Sequence, residues 1–285
     1  MSLHCYADDT QLYLPLKPNN RSNLLNLIHC LEDIKCWMAK NFLHLNESKS
    51  EVILLGPSDS IKNIAGSIGS VTPLLKPHVK NLGVIFDSAL KFDKQVNAVV
   101  KASFFQLRKI AKIKQFLQFD ALEKIIHTFI SSRLDYCNSL YIGISQSSLS
   151  RLQLVQNAPA RLLTGTRKRD HITPILASLH WLPVQFRINF KILLYVYKAL
   201  NGLAPTYIKS LLTHHTTSRS LRSADLGLLN IPRSRHKLRG DRAFAVAAPR
   251  LWNSIPLPIR TAPSINSFKS RLKTHLYSQA FLDIL

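Results

Sequence analysis

The spacing of apolar residues from Phe92 onward is the feature that most restricts how this chain can fold. From Phe92 to about Gln118, apolar residues return every three or four positions, which places them on one side of an α-helix. The same spacing recurs at 121–130, 149–163 and 184–200. The last of these segments is the most apolar, and it ends at Asn201-Gly202 with Pro205 beyond, a strong helix stop. The sequence therefore predicts a helical region whose core includes this segment.

Residues 1–90 combine strand-like segments with one amphipathic helix, predicted over 23–40. Runs of β-forming residues predict strands at 51–55 and 81–86. The Gly-, Ser- and Pro-containing stretch between them, 56–77, predicts loop and hairpin. The predicted fold class is therefore α+β. The predicted domains are 1–90, 91–212 and a basic C-terminal segment, 213–285.

The charge of the chain points to polyanions as partners. The formal net charge is +22, from 38 Lys and Arg against 16 Asp and Glu, which favours nucleic acid. A membrane surface is the rival partner, but basic residues interrupt every long apolar stretch, and nothing at the N-terminus reads as a secretory signal. The four cysteines form neither a close-set disulfide framework nor a zinc pattern. We therefore expect RNA and DNA as partners, no membrane, no small-molecule cofactor, and an intracellular location in the cytoplasm or nucleus.

Tyr6-Ala7-Asp8-Asp9 places two adjacent carboxylates at the tip of a predicted β-hairpin. The strands on either side are predicted over 2–6 and 10–14, joined by an Asp-Asp turn. Mg²⁺ prefers oxygen ligands, and nucleotidyl transfer uses carboxylates that hold two ions against the primer and the nucleotide phosphates. The alternative is an ordinary polar turn, which is the commoner explanation of an isolated Asp-Asp pair.

The tetrapeptide resembles the Tyr-x-Asp-Asp motif of reverse transcriptases. The residues after it are similar, in order and spacing, to the enzymes of non-LTR (LINE-type) retrotransposons. Leu43–Glu51 resembles the Leu-x-Leu-Asn-x-x-Lys-Thr/Ser-Glu segment of that family, and Val79–Asp87 resembles its Leu-Gly-Val/Ile strand at the primer grip. Two later segments, 179–184 and 248–253, resemble the tail that follows the polymerase in many vertebrate elements.

The resemblance implies an RNA-directed DNA polymerase in which 1–90 is the second half of the palm and 91–212 contains the thumb. The residues it assigns are Asp8 and Asp9 for catalytic Mg²⁺, Tyr6, Ala7 and Gly83 for the primer and nucleotide, and Lys49 for catalysis. Lys49 would protonate the departing pyrophosphate as a general acid. Gly83 would let the backbone approach the primer closely.

The chain also departs from the family pattern. The family enzymes carry another metal-binding Asp on a palm strand far upstream of the tetrapeptide, whereas only five residues precede Tyr6 here. An incomplete ligand set loses much of the transition-state stabilisation of two-metal chemistry. We therefore expect a catalytically inactive C-terminal fragment, with an open sheet edge that favours pairing with other chains. The alternatives are a basic nucleic-acid-binding remnant without an enzymatic role and a structural or non-functional product.

Two basic stretches are the candidate nucleic-acid interface. Residues 91–119 carry seven Lys or Arg and one Asp, and residues 219–242 carry seven Lys or Arg and two Asp. The residues predicted to contact phosphates are Lys94, Lys101, Arg108, Lys109, Lys112, Lys114, Arg233, Arg235, Lys237 and Arg239. Such contacts depend on counterion release and weaken as salt rises. The alternative is that both stretches are solvated surface, since charge runs commonly are.

Histidines and tryptophans in the later part of the chain are predicted to be structural. His180 and Trp181 precede the most apolar helix, and no nucleophile or carboxylate is spaced to form a triad or metal site with them. We therefore expect them to pack at the start of that helix, and His214-His215 to lie in a loop. Trp252 is predicted to pack against a C-terminal helix over 267–281.

Overall fold

A computed structural model describes residues 1–16, 22–65, 68–215, 227–234 and 237–282. The chain divides into two compact units, unit 1 (Met1–Lys94) and unit 2 (Gln95–Leu285). The described residues form mainly helices, with two two-stranded antiparallel sheets in unit 1, so the predicted α+β class is confirmed. In these parts of the chain, no helix is both long enough and apolar enough to cross a membrane.

The elements are numbered in chain order. The strands are β1 (Ser2–Tyr6), β2 (Asp9–Tyr13), β3 (His78–Asn81) and β4 (Val84–Asp87). The α-helices are α1 (Ser22–Lys40), α2 (Ser58–Ala65), α3 (Asp93–Ile113), α4 (Phe119–Ile126), α5 (Ser132–Asp135), α6 (Gln146–Thr164), α7 (Ile172–Ser178), α8 (Val184–Leu200), α9 (Thr206–Lys209), α10 (Lys237–Gly240), α11 (Phe244–Ser254), α12 (Leu257–Arg260) and α13 (Ile265–Ala280). Turns of 3₁₀ helix cover Glu47–Lys49, Gly69–Leu74, Lys114–Phe116 and Asn138–Tyr141, and a turn of π-helix covers His127–Ser131.

Unit 1 has a small core. Leu24 of α1 is buried together with Leu54, Ile68 and Val71, and partly buried apolar side chains such as Ile28 pack around them. All five residues of β1 are exposed, and β2 is at most half-buried. The first hairpin therefore relies on its own backbone pairing far more than on burial.

The strand predicted over 81–86 is wrong, because the chain reverses within it. Asn81 ends β3 and Val84 begins β4, and the two strands pair antiparallel with Asn81 opposite Val84. Leu82 and Gly83 between them have φ values of 44° and 83°. Two central residues with positive φ form the tight turn that matches the twist of a hairpin, and glycine adopts this conformation easily.

The structure between the two hairpins also differs from the prediction. Residues 51–55 form no extended strand, since Val52 makes only an isolated bridge to Leu75. Its backbone N–H donates to the carbonyl of Leu74 at 2.8 Å, and its carbonyl accepts from Lys76 at 2.8 Å. The stretch 56–77 contains α2 and a 3₁₀ turn in place of the predicted hairpin.

Helix α8 is the centre of unit 2. It contacts α5, α6, α9, α11, α13 and the 3₁₀ turn Asn138–Tyr141. Its inward residues Ile188, Ile192 and Val196 are at most 2% exposed. Burial of this kind on several sides of one helix supplies most of the hydrophobic stabilisation of a helical unit.

An aromatic cluster joins α8 to the C-terminal helices. Phe268 of α13 is fully buried and stacks on Tyr197 of α8, with ring centroids 4.2 Å apart, and on Trp252 of α11 at 6.0 Å. The Tyr197 hydroxyl donates to the carbonyl of Ala262 at 2.9 Å, which satisfies its polar end. The prediction that Trp252 packs against the C-terminal helix is confirmed.

An ion pair ties α5 to α8. The Nε of Arg187 donates to Oδ1 of Asp135 at 2.9 Å, and the Nη2 of Arg187 donates to Oδ2 of the same carboxylate. The guanidinium thereby forms a two-point contact whose geometry is specific to arginine.

Candidate metal site and nucleic-acid interface

Ala7 and Asp8 form a two-residue turn between β1 and β2. Tyr6 lies opposite Asp9, so Asp9 is the first residue of β2 and lies one position outside the Asp-Asp turn that the sequence predicts. Ala7 has a φ of 54°, a conformation that non-glycine residues adopt uncommonly and that is enriched at functional sites. The short turn brings the two carboxylates to one end of the hairpin.

Both carboxylates at the hairpin tip are accessible to a metal ion. Asp8 and Asp9 are exposed, and Tyr6 is 67% exposed beside them. Carboxylate oxygens at an exposed tip suit Mg²⁺, which commonly keeps water ligands and takes one or two carboxylates plus phosphate oxygens. In the described residues, no group of three or more His, Cys, Asp or Glu side chains is arranged to hold a metal ion. The tip alone therefore offers a pair of ligands that substrate phosphates or another segment must complete.

A side-chain hydrogen bond links the first hairpin to the second. The Nε2 of Gln11 on β2 donates to Oδ1 of Asn81 on β3 at 2.8 Å. Asn81 directly precedes the turn that contains Gly83, so this turn, which lies within the strand predicted at the primer grip, adjoins the hairpin that carries Asp8 and Asp9. Neither Gln11 nor Asn81 was identified from the sequence, because an amide pair carries no signal until the strand register is known.

Lys49 lies in a different setting from the one that its proposed role requires. It is exposed in the 3₁₀ turn Glu47–Lys49, and within the described part of the chain it makes no ion pair with Asp8 or Asp9. The neighbouring Glu47 accepts a hydrogen bond from the Nζ of Lys35 at 2.6 Å, and this contact lowers the pKa of Glu47. The structure thus does not bring Lys49 together with the carboxylate pair.

Helix α3 separates apolar and basic side chains onto different sides. Val96, Val99 and Ile110 are buried. The basic residues on its exposed side are Lys94, Lys101, Arg108, Lys109 and Lys112. Lys114, just beyond the helix, is half-buried, and its Nζ donates to the carbonyl of Leu162 at 2.5 Å. Lys114 is therefore a structural contact, whereas the other five side chains are exposed to solvent, where they can meet phosphates.

Exposed aromatic side chains lie among these cations. Phe105 is 48% exposed, and the Nζ of Lys109 lies 4.5 Å from the centre of its ring. Phe116 is 77% exposed in the 3₁₀ turn Lys114–Phe116 that follows α3. Exposed aromatic rings between cations can stack on the bases of a single strand. The sequence reading placed neither phenylalanine at the interface, because helical spacing alone cannot show which apolar residues stay uncovered.

The second predicted basic stretch is only partly described. Arg233 is exposed, and Arg239 is half-buried on α10. Arg235 and the side chain of Lys237 lie outside the described residues. Arg242, in the same stretch, donates from its Nε to the carbonyl of Ile142 at 2.8 Å and so contributes to packing. Of these residues, Arg233 is the one whose described position leaves its side chain open to solvent.

Comparison with known protein families finds no match for this chain, and comparisons with curated proteins and with solved structures find none either. The function proposed below therefore depends on the residues and geometry described above.

Proposed function

We propose that this chain is a segment of an RNA-directed DNA polymerase of the non-LTR retrotransposon class. In this proposal unit 1 corresponds to the second half of the palm, and α3 with the helices after it corresponds to the thumb. The observation that carries the proposal is the two-residue turn that holds Asp8 and Asp9 together at an exposed hairpin tip. The linked second hairpin, with Gly83 in its turn, is the second support.

The residues of this chain would act by holding the metal ion and by positioning the primer and the nucleotide. When Mg²⁺ is bound, it stabilises the attacking and leaving oxygens of nucleotidyl transfer. Asp8 and Asp9 would supply two of its oxygen ligands, and the left-handed Ala7 would fix the direction of the tip. Gly83 would allow a primer backbone to approach the second turn. Lys49 would protonate pyrophosphate only if a closing movement brought it to the nucleotide, since it is now exposed in its own turn.

The polymerase proposal also includes a limit on activity. Two adjacent carboxylates are fewer ligands than a two-metal centre uses, and the described residues add no third. We therefore infer that the chain by itself binds metal weakly and does not polymerise, and that a further carboxylate must come from elsewhere.

The metal site can be tested with Mn²⁺ as a paramagnetic substitute for Mg²⁺. Micromolar Mn²⁺ is expected to broaden the backbone amide signals of residues 6–10 in nuclear magnetic resonance spectra before those of other exposed acidic positions. The double variant Asp8→Asn, Asp9→Asn should abolish this broadening, because amide oxygens are much poorer ligands for hard cations than carboxylates. Asp59→Asn, at an exposed acidic residue of α2, is the matched control and should change nothing. Uniform broadening at all exposed acidic residues would contradict the proposed site.

Catalysis is tested separately by primer extension on an RNA template. The full chain with Mg²⁺ and all four deoxynucleotides is expected to extend no primer, because its metal ligand set is incomplete. Incorporation of nucleotides that Asp8→Ala abolishes would overturn the inferred inactivity while supporting the assignment to the polymerase class. Incorporation that survives Asp8→Ala would point to a contaminating enzyme.

A second candidate function is nucleic-acid binding by α3 without catalysis. The specific observation that favours it is the exposed Phe105 under Lys109, with an exposed Phe116 in the turn that follows α3. This arrangement supports binding of single strands through phosphate contacts and base stacking. This function does not depend on the carboxylate pair, so it can be tested independently of the metal site.

A further inference from the structure

Unit 2 contains an uncharged cleft between α6 and the first turn of α8. Its volume is about 440 Å³. The polar side chains that define this amide cleft are Gln146, Ser150, Gln153, Asn157 and Gln185. The first four recur along α6 at intervals of three or four residues, which places them on one side of the helix. Among the described residues that line the cleft, none is ionisable, although the chain has a formal net charge of +22. The cleft therefore suits a neutral polar group.

The amide groups behind the cleft have orientations that the backbone determines. The Oε1 of Gln153 accepts from the backbone N–H of Val184 at 2.9 Å, so its Nε2 points the other way. Gln156 is 3% exposed, and its Nε2 donates to the carbonyl of Leu182 at 2.8 Å. The Oε1 of Gln156 then accepts from the Nε2 of Gln153 at 3.0 Å. Because an N–H can only donate and a carbonyl can only accept, this network has a single polarity.

The network ends at Asn157, which lines the cleft. The Nε2 of Gln153 also donates to the Oδ1 of Asn157 at 2.8 Å, so the Nδ2 of Asn157 is left as a donor. Within the described part of the chain, this nitrogen has no partner. Across the cleft, Gln185 donates from its Nε2 to the Oδ1 of Asn189 at 3.0 Å, which leaves its Oε1 as an acceptor. The cleft thus presents a donor at Asn157 and an acceptor at Gln185.

Apolar side chains lie beside these polar groups. Leu154 is 57% exposed at the cleft, and Leu149 is half-buried there. Groups that hydrogen-bond at one edge of a ligand and apolar side chains that cover its faces are the means by which proteins hold an unstacked base. Convergence of two helices on a few polar groups in a cleft of this size is also the usual form of a ligand site.

A peptide is the rival ligand for a neutral polar cleft. Extended peptides add to a strand edge, helical peptides need a row of apolar anchors, and proline-rich peptides need an aromatic groove. The amide cleft lies between helices, whose backbone groups bond within the helix. Among its described lining residues, Leu149 and Leu154 are the only apolar ones, and none is aromatic. These features favour a base over a peptide.

We propose that the amide cleft binds the Watson–Crick edge of an unpaired nucleobase. The Nδ2 of Asn157 donates to an acceptor of the base, and the Oε1 of Gln185 accepts from the neighbouring base N–H. Every base has a donor next to an acceptor on this edge, so the cleft accepts unpaired bases of any kind and excludes duplexes. The same chemistry occurs in a free nucleoside and in a single strand. Only binding within a strand rests on the nucleic-acid functions proposed above.

The test is a nuclear magnetic resonance titration of the full chain with adenosine, which is neutral and therefore insensitive to net charge. Adenosine is expected to shift the side-chain amide signals of Asn157. N6,N6-dimethyladenosine, which lacks the N–H on this edge, should bind about tenfold more weakly. Asn157→Asp keeps the acceptor for Gln153 but removes the donor, and it should weaken adenosine binding about tenfold. The matched control Asn189→Asp adds the same charge outside the lining, keeps the acceptor for Gln185 and should change nothing.

Three results overturn the proposal: no binding of adenosine, equal affinity for the two nucleosides, or equal weakening by Asn157→Asp and Asn189→Asp. If Asn157→Asp does not fold, Gln185→Met decides, since it removes the acceptor on α8. This variant should also bind adenosine about tenfold more weakly, and unchanged binding overturns the proposal. Binding of a neutral dipeptide amide at the cleft in place of adenosine would assign the cleft to peptides.

Competition experiments distinguish the two sources of the base. Displacement of adenosine by a single-stranded oligoadenylate, but not by the same strand in a duplex, assigns the cleft to bases within a strand. Displacement by neither assigns it to a free nucleoside. Equal displacement by both overturns the proposal, because the Watson–Crick edges of a duplex are already paired. Failure of any of these tests leaves the polymerase proposal intact, since its metal site lies in unit 1.

Discussion

Replacing Phe268 with alanine is expected to lower the free energy of unfolding of unit 2 by about 3–5 kcal/mol. Phe268 is fully buried between the rings of Tyr197 and Trp252, so its removal leaves a cavity between α8, α11 and α13. The loss includes both the transfer free energy of the ring and the stacking contacts. Urea unfolding followed by tryptophan fluorescence measures it, since Trp181 and Trp252 are both buried in this unit.

The control for this variant is Phe119→Ala. Phe119 is a phenylalanine of the same unit that is 50% exposed at the start of α4. Its replacement should cost less than about 1 kcal/mol, as surface substitutions do. Equal losses for the two variants would mean that the aromatic cluster is not the centre of the unit.

Removing four charges from α3 is expected to weaken binding to single-stranded RNA about 100-fold at 0.1 M salt, by the free energy of counterion release. The variant changes Lys101, Arg108, Lys109 and Lys112 to glutamine. These residues are exposed along about 16 Å of helix, on the side away from the buried Val99 and Ile110. The slope of log affinity against log salt should fall by about three, because each lost phosphate contact removes about 0.7 from it. Fluorescence anisotropy with a labelled RNA over a series of salt concentrations measures both quantities.

A second variant separates this surface from net charge. It changes four exposed lysines elsewhere, Lys62, Lys76, Lys168 and Lys209, to glutamine, so the charge of the chain changes by the same amount. This control should lower affinity severalfold at most and leave most of the salt slope in place. If both variants bind equally poorly, α3 is not an interface and its lysines are a solvated face.

The helices of unit 2 could be predicted from the sequence where residues that start or stop a helix lie at the ends of a segment with apolar residues every three or four positions. The prediction of 184–200 matches α8 at both ends, because Pro183 and Asn201-Gly202 mark its limits. The prediction of 149–163 is short by three residues at its start, because Ser145 caps α6 and accepts from the backbone N–H of Ser148. The helices α7 and α11 were not predicted, since each contains a proline, a residue that normally interrupts a helix.

The candidate sites show the same contrast: some of their features follow from consecutive residues, and others depend on contacts between distant parts of the chain. The hairpin tip was predictable, because its strands and turn lie within a few consecutive residues. The Gln11–Asn81 contact and the exposure of Phe105 depend on which surfaces the fold covers, and no local pattern carries that information. The positive φ of His180 is also not predictable from the sequence, because histidine is enriched in left-handed backbone but adopts it at only a minority of positions.

The central position of α8 has a consequence for how the protein is made. Its neighbours α11 and α13 follow it in the chain, so the sides of α8 that these two helices cover stay exposed until residues near 280 have left the ribosome. Contacts at such separations in sequence slow folding, because the entropy of loop closure must be offset before the contacts form. A nascent chain that ends after α8 leaves Tyr197 without the ring of Phe268 that covers it in the folded unit. Premature termination between 200 and 244 therefore yields a product that chaperones or proteases recognise.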